Sequence, residues 1–149
     1  MRVLLIASLS LFPACISHPA QTNRPPVAEG EEFQLAIGES VGVKGGIFII
    51  EFSSVLEDSR CPMNARCVWE GNARVAVKVQ EFTRGQAPRS LDVVEKTVEL
   101  NTSERFPRRG SYGENSKGIS IELRGLEPMP MAGAPSKDFV ITLKVEALK

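Results

Sequence analysis

The chain has 149 residues, of which 42% are apolar and 24% charged, a composition that predicts one globular domain and excludes a disordered chain. Its 18 basic residues balance its 18 acidic residues, and loss of Arg2 with a signal segment leaves 17 against 18, a net charge of −1. Such a chain has no positive field to attract nucleic acid, so no nucleic-acid partner is predicted.

Residues 1–17 predict a signal segment. Met1 and Arg2 make a short positive start, and the ten residues from Val3 to Phe12 are apolar apart from two serines. A transmembrane helix needs about 20 apolar residues, whereas a run of ten suits the central region of a secretory signal. The pattern therefore predicts export to the periplasm or cell envelope.

Cys15 has two interpretations. Residues 11–15 (LFPAC) resemble the bacterial lipobox, in which the cysteine carries the lipid, and Ala14 fits that pattern although the two residues before it do not. Alternatively, Cys15 and Ser17 satisfy the small-x-small requirement for ordinary cleavage after Ser17. We favour lipidation, which would hold the protein at the membrane through its N-terminus.

Residues 18–32 are polar and rich in proline, and they predict a flexible tether. Residues 33–149 then predict a single β-domain. Alternation of apolar and polar residues predicts seven strands, at 33–37, 41–43, 47–55, 74–82, 91–100, 119–123 and 139–145. The third of these is apolar on both faces at first, which predicts a central strand covered on both sides. Residues 101–117 and 127–137 lack a pattern and read as loops. The predicted fold is an all-β, antiparallel β-sandwich of about seven strands, with a small β-barrel as the alternative.

Cys61 and Cys67 are the two cysteines that remain after Cys15. They form an even pair in an oxidising compartment, and a zinc site would need further ligands that the domain lacks. We therefore predict a disulfide between Cys61 and Cys67.

The two cysteines belong to the most distinctive segment of the chain, residues 57–73 (EDSRCPMNARCVWEGNA). This segment resembles a family of uncharacterised exported bacterial proteins and lipoproteins that share DSRCP, a short spacer and CVW-x-G-x-A. The resemblance implies a β-rich domain after an export signal, and it implies no particular activity.

Two interpretations of this segment remain open. In the structural one, Asp58 starts a turn and forms a surface ion pair with Arg60, while Trp69 packs across the disulfide loop. In the functional one, Asp58, Arg60, Arg66 and Trp69 form a recognition patch that the disulfide keeps rigid.

Catalysis is not predicted. The only histidine, His18, precedes the domain, so no histidine base is available to activate a serine or cysteine there. We expect three lysines that lie in or beside strands to point into solvent: Lys44, Lys78 and Lys96. Arg105, Arg108 and Arg109 form a basic cluster that either contacts an acidic partner or is simply solvated. No metal site, cofactor or nucleotide motif is predicted.

The leading functional hypothesis is a non-enzymatic envelope domain that is structural or binds a protein or glycan. One alternative is a carboxylate-dependent hydrolase acting on cell-wall or carbohydrate substrates, and another is an inhibitor-like domain that presents a loop. A cleft with converging carboxylates would favour the hydrolase.

Overall fold

A computed structural model describes residues 25–44, 47–84, 91–113 and 117–148. Eight β-strands form within these ranges: β1 (Glu32–Ala36), β2 (Ser40–Val43), β3 (Phe48–Asp58), β4 (Ala73–Arg84), β5 (Leu91–Asn101), β6 (Arg109–Tyr112), β7 (Ile119–Glu127) and β8 (Val140–Ala147). The predicted signal segment and Cys15 lie outside the described residues. Within the described ranges, no helix has the length and apolar character needed to cross a membrane.

The strands make two antiparallel four-stranded sheets, ordered β2-β3-β4-β5 and β1-β8-β7-β6. The sheets are not closed into a barrel, which confirms the predicted β-sandwich. Consecutive strands pair except where the chain passes from one sheet to the other, between β1 and β2 and between β5 and β6. β8 returns to pair with β1.

The core lies between the two sheets and follows the predicted alternation. In β3, Phe48, Ile50 and Phe52 are buried, and in β8 Ile141, Leu143 and Val145 are buried. These inward residues are separated by partly exposed ones, which is the period of two expected for a strand with one covered face.

The seam between β5 and β6 is closed by side chains. The Tyr112 hydroxyl donates a hydrogen bond of 3.2 Å to the backbone oxygen of Val94, and the Tyr112 ring meets Phe48 edge-on with centroids 5.8 Å apart. Gly110 lies so close to Val98 that a Cβ on it would be 2.2 Å from a valine methyl carbon. The two sheets therefore pack tightly at this seam.

Two predictions about the strands need correction. β6 lies in the segment 101–117, which the sequence predicts to be a loop. Its four residues (RGSY) have one buried side chain, which is too short a pattern to recognise. β3 is central in its sheet but is covered on one face only: Ile49 is half-buried, and Ile47, just before the strand, is 46% exposed.

The predicted tether is also wrong over its last residues. The Val27 amide donates a hydrogen bond of 2.9 Å to Gly42 of β2, and the Gly30 amide donates one of 2.7 Å to Val145 of β8. Glu32 already belongs to β1. The domain therefore begins before Phe33, and residues 18–24 lie outside the described ranges.

Candidate functional site

One end of the sandwich carries the distinctive segment of the sequence. Because each strand runs opposite to its neighbour, every second connection lies at the same end. The connections 37–39, 59–72, 102–108 and 128–139 therefore share one end, which we call the loop end.

The disulfide of the loop end joins Cys61 to Cys67, with their Cα atoms 5.9 Å apart. This spacing is within the usual range for a disulfide and confirms the predicted pairing. Trp69 does not pack across the loop as predicted, since it is 69% exposed. The disulfide therefore holds the loop while the indole ring lies in solvent.

Asp58 and Arg60 form an ion pair as predicted, but the pair is buried rather than at the surface. The guanidinium donates two hydrogen bonds of 2.8 Å to the Asp58 carboxylate. It also donates to the backbone oxygens of Leu126 and Pro128, the latter at 2.8 Å. Arg60 thus spans from the connection 59–72 to the end of β7, and a planar guanidinium with five donors suits this arrangement.

The disulfide loop is attached to the proline-rich connection 128–139 by further backbone and side-chain contacts. The Met63 amide donates a hydrogen bond of 3.0 Å to the oxygen of Pro130. The Asn64 side chain accepts one of 2.7 Å from the Ala132 amide and returns another to the Ala132 oxygen at 3.4 Å. The two connections therefore form one continuous surface.

Asn72 joins the same connection to the opposite side of the loop end. Its amide group donates to the Asn101 side chain at 2.9 Å, and its side-chain oxygen accepts from the Ser103 backbone amide at 3.1 Å. The Thr102 hydroxyl accepts from the Ala73 amide at 2.8 Å, and the Ser103 hydroxyl donates to Glu70 at 2.7 Å. Asn101-Thr102-Ser103, which matches a glycosylation sequon, therefore has a structural role.

Gly71 permits a close backbone contact beside this network. Its φ angle is +75°, and a Cβ built on it would lie 1.9 Å from the Ser59 carbonyl oxygen. The Ser59 backbone amide and side-chain hydroxyl both donate to the backbone oxygen of Asn72, at 2.7 and 2.8 Å. Only glycine fits this position without moving the backbone.

A cleft of about 540 Å³ opens between these elements. Its lining combines two aromatic rings, three carboxylates, two guanidinium groups and small polar residues. It consists of Glu57, Ser59, Trp69, Glu70, Gly71, Asn72, Arg74, Glu99, Asn101, Ser103, Arg105 and Phe106. Arg74 and Glu99 form an exposed ion pair of 3.5 Å across neighbouring strands. Among the described residues, no group of three or more histidine, cysteine, aspartate or glutamate side chains is arranged to hold a metal ion.

The four residues of the predicted recognition patch separate in the structure. Arg60 is buried and Asp58 half-buried, whereas Arg66 and Trp69 are exposed, and of the four only Trp69 lines the cleft. The predicted basic cluster separates too. Arg105 lines the cleft, but Arg108 and Arg109 pair with separate carboxylates.

Sequence reasoning missed Phe106, Arg74 and Glu99 as cleft residues. An aromatic ring in an otherwise polar loop was the available signal for Phe106. The other two lie on the outer face of their strands, where a charged residue carries no sign of a neighbouring cleft.

Exposed apolar side chains gather at the loop end. Ten large apolar residues are exposed within the described ranges, and seven of them lie on the connections of this end: Ile37, Met63, Val68, Trp69, Phe106, Met129 and Met131. Such a concentration is typical of a surface that binds a partner.

The chain is thus an antiparallel β-sandwich with a disulfide-bonded loop end and an open cleft. Comparisons with protein-family models, with curated proteins and with solved structures found no match.

Proposed function

We propose that the chain is a non-enzymatic binding domain of the bacterial cell envelope that takes its ligand at the loop end. One observation carries the proposal: Trp69 and Phe106 are 69% and 52% exposed on connections that are otherwise firmly held. Tryptophan is strongly enriched among residues that dominate binding energy, and exposing an aromatic ring to water is unfavourable without a ligand.

The rigidity of the loop end supports this proposal. Trp69 lies between the disulfide, the buried Arg60 and the Asn72 network, so the backbone on both sides is restrained. Ordering a flexible loop reduces affinity, whereas a restrained loop has already lost that entropy on folding. The arrangement is that of a preorganised binding surface.

Export is part of the same proposal. It rests on the signal pattern of residues 1–17 and on the family resemblance of residues 57–73, and a disulfide is typical of an oxidising compartment. Cells fed a radioactive fatty acid should yield a labelled protein, and Cys15→Ser should remove the label and release the domain from membranes. An unlabelled wild type whose mature chain begins at His18 would instead establish simple secretion.

A carboxylate-dependent hydrolase is a second candidate, favoured by the three carboxylates of the cleft. Glu70 is held by the Ser103 hydroxyl and Glu99 by Arg74, while Glu57 makes no ion pair within the described ranges. Glycoside hydrolysis requires two carboxyl groups on either side of the bond to be cut. A hydrolase would release new reducing ends from a glycan, and Glu57→Gln would abolish that release.

Site-directed photocrosslinking in living cells tests the binding proposal. A benzophenone side chain at Val68, which is 93% exposed beside Trp69, should capture a ligand, since benzophenone inserts into C–H bonds of proteins and sugars alike. The same group at Val94, which is 52% exposed on β5, is the matched control. The Val68 adduct should disappear with Trp69→Ala.

The same experiment distinguishes this proposal from the inhibitor-like alternative, in which the domain presents its disulfide loop to a partner. An inhibitor-like domain would depend on Arg66, in the exposed part of the disulfide loop, more than on Trp69. Equal adducts at Val68 and Val94, or adducts insensitive to Trp69→Ala, would contradict the proposal.

A further inference from the structure

We infer that the cleft between Trp69 and Phe106 binds an uncharged carbohydrate chain. The inference rests on the proposed function, because it names the ligand of the same loop end. Three features of the cleft carry it: the aromatic character of its apolar surface, the mixture of opposite charges along its rim, and the hydrogen bonds that already hold its floor.

The apolar surface of the cleft is aromatic. Of its lining residues, Trp69 and Phe106 are the two with large apolar side chains, and no aliphatic side chain contributes. A sugar ring has one face of C–H groups and an edge of hydroxyls, so it stacks on an aromatic ring while its edge remains free for hydrogen bonds. A peptide anchored by leucine or valine would bury that side chain in a mostly apolar pocket, whereas most residues that line this cleft are polar or charged.

The polar groups at the rim suit hydroxyls rather than a charged ligand. Glu57, Glu70 and Glu99 oppose Arg74 and Arg105, so charges of both signs line the cleft and largely offset each other. Carboxylates accept hydrogen bonds from hydroxyls, and guanidinium groups donate to them, with the strength of charge-assisted bonds. An anionic ligand would meet three carboxylates, and a cationic ligand would meet two guanidinium groups.

The floor of the cleft is already hydrogen-bonded. Asn72 donates to the Asn101 side chain and accepts from the Ser103 amide, and the Ser103 hydroxyl donates to Glu70 at the rim. These groups hold their positions without a ligand, which leaves the exposed rim to contact it. The volume of about 540 Å³ lies within the range of about 300–1,000 Å³ that is usual for small-ligand sites. Since the cleft is open, a longer chain can continue beyond it.

Trp69 is the only tryptophan in the chain, so its fluorescence reports on this cleft without a label. The exported, disulfide-bonded protein is titrated with oligosaccharides of N-acetylglucosamine and of glucose, and with an anionic polysaccharide. One of the uncharged series should shift the emission of Trp69 saturably and protect it from acrylamide quenching, and the anionic polysaccharide should do neither.

Phe106→Ala should weaken that binding at least tenfold while leaving the fluorescent reporter in place. Phe106→Leu should weaken it similarly, because it keeps apolar volume but lacks the ring. Val94→Ala is the matched control and should bind as the wild type does. Circular dichroism establishes that each variant is folded.

Three results would overturn the inference: no saturable change with either uncharged series, binding of the anionic polysaccharide as tight as that of the uncharged sugars, or equal affinity of Phe106→Ala and Val94→Ala. If the glycans fail while the Val68 crosslink persists and depends on Trp69, the proposed function stands and the ligand is a protein. If both fail, the proposed function falls as well. Release of reducing ends during the titration would identify the hydrolase.

Discussion

The guanidinium of Arg60 donates two hydrogen bonds of 2.8 Å to the carboxylate of Asp58, and their side chains are 7% and 14% exposed. Two residues apart in sequence, they form a buried ion pair that also reaches the backbone oxygens of Leu126 and Pro128. The pair couples the disulfide connection to the second sheet.

Removing this guanidinium should destabilise the whole domain. Arg60→Ala removes the charged partner of the largely buried Asp58 carboxylate and a donor to two backbone oxygens, which costs about 3–5 kcal/mol of unfolding free energy. Arg60→Lys should recover only part of it, since one ammonium cannot replace the planar fork. Urea denaturation measures the loss. Arg66→Ala, an exposed arginine of the same connection, should change stability by no more than about 0.5 kcal/mol. Equal effects of the Ala variants at 60 and 66 would mean that the buried pair contributes nothing.

Gly71→Ala tests the close contact with Ser59. Gly133 has a similar φ of +84° with no atom within 4 Å of a built Cβ, so Gly133→Ala isolates the cost of the left-handed backbone. That cost is about 1–2 kcal/mol. Gly71→Ala adds the clash with the Ser59 carbonyl, and we expect it to be about 1–3 kcal/mol more destabilising than Gly133→Ala. Equilibrium denaturation of both variants gives the difference, and similar values would show that the backbone yields easily there.

The disulfide should stabilise the fold without being essential to it. Closing a loop as short as 61–67 contributes about 2–2.5 kcal/mol by restricting the unfolded chain. Replacing both cysteines with serine should therefore lower Tm by several degrees and preserve the β-sheet circular dichroism, because the core of the sandwich does not include the loop. Alkylation of the unreduced protein followed by mass measurement checks the bond itself. Two free thiols would refute it, and complete unfolding of the double variant would show that the core is weaker than its burial suggests.

Glu122 should make stability depend on pH in the acid range. Hydrogen bonds from Arg109 and then Arg124 hold the pKa of this carboxyl below its ordinary value of 4.5. The folded state therefore binds the Glu122 proton less readily than the unfolded state, and the stabilisation is complete above pH 4.5 and is lost as the pH falls through the lowered pKa.

The variant Glu122→Gln should be less stable than the wild type at pH 7, by no more than about 1 kcal/mol because both arginines are largely exposed. The difference in Tm should shrink as the pH is lowered toward 3. Glu31→Gln, at an exposed carboxylate outside the ion pairs of the described residues, is the control and should show no such trend. A constant difference across the pH range would show that the ion pairs do not contribute.

The sequence by itself determined the strands and the disulfide. Alternation in stretches such as Phe33–Ile37 and Phe139–Val145 is a local property of the chain, and burial of every second side chain follows from the geometry of a strand. The pairing of Cys61 with Cys67 was predictable from the number of cysteines in the domain and from the expected oxidising compartment. β6 was not predicted because its four residues have only one buried side chain, which is too few for an alternating pattern to be recognised.

Only the tertiary structure decided which charged and aromatic residues act together. Arg60 is buried against the backbone of Leu126 and Pro128. These residues lie more than 60 positions away in the chain, so no local pattern reveals the burial. Phe106 and Glu99 reach the same cleft as Trp69 because antiparallel pairing brings the end of β5 beside the start of β4. Local patterns reveal which face of a strand is buried. Contacts between connections that are distant in the chain depend instead on how the two sheets pack against each other.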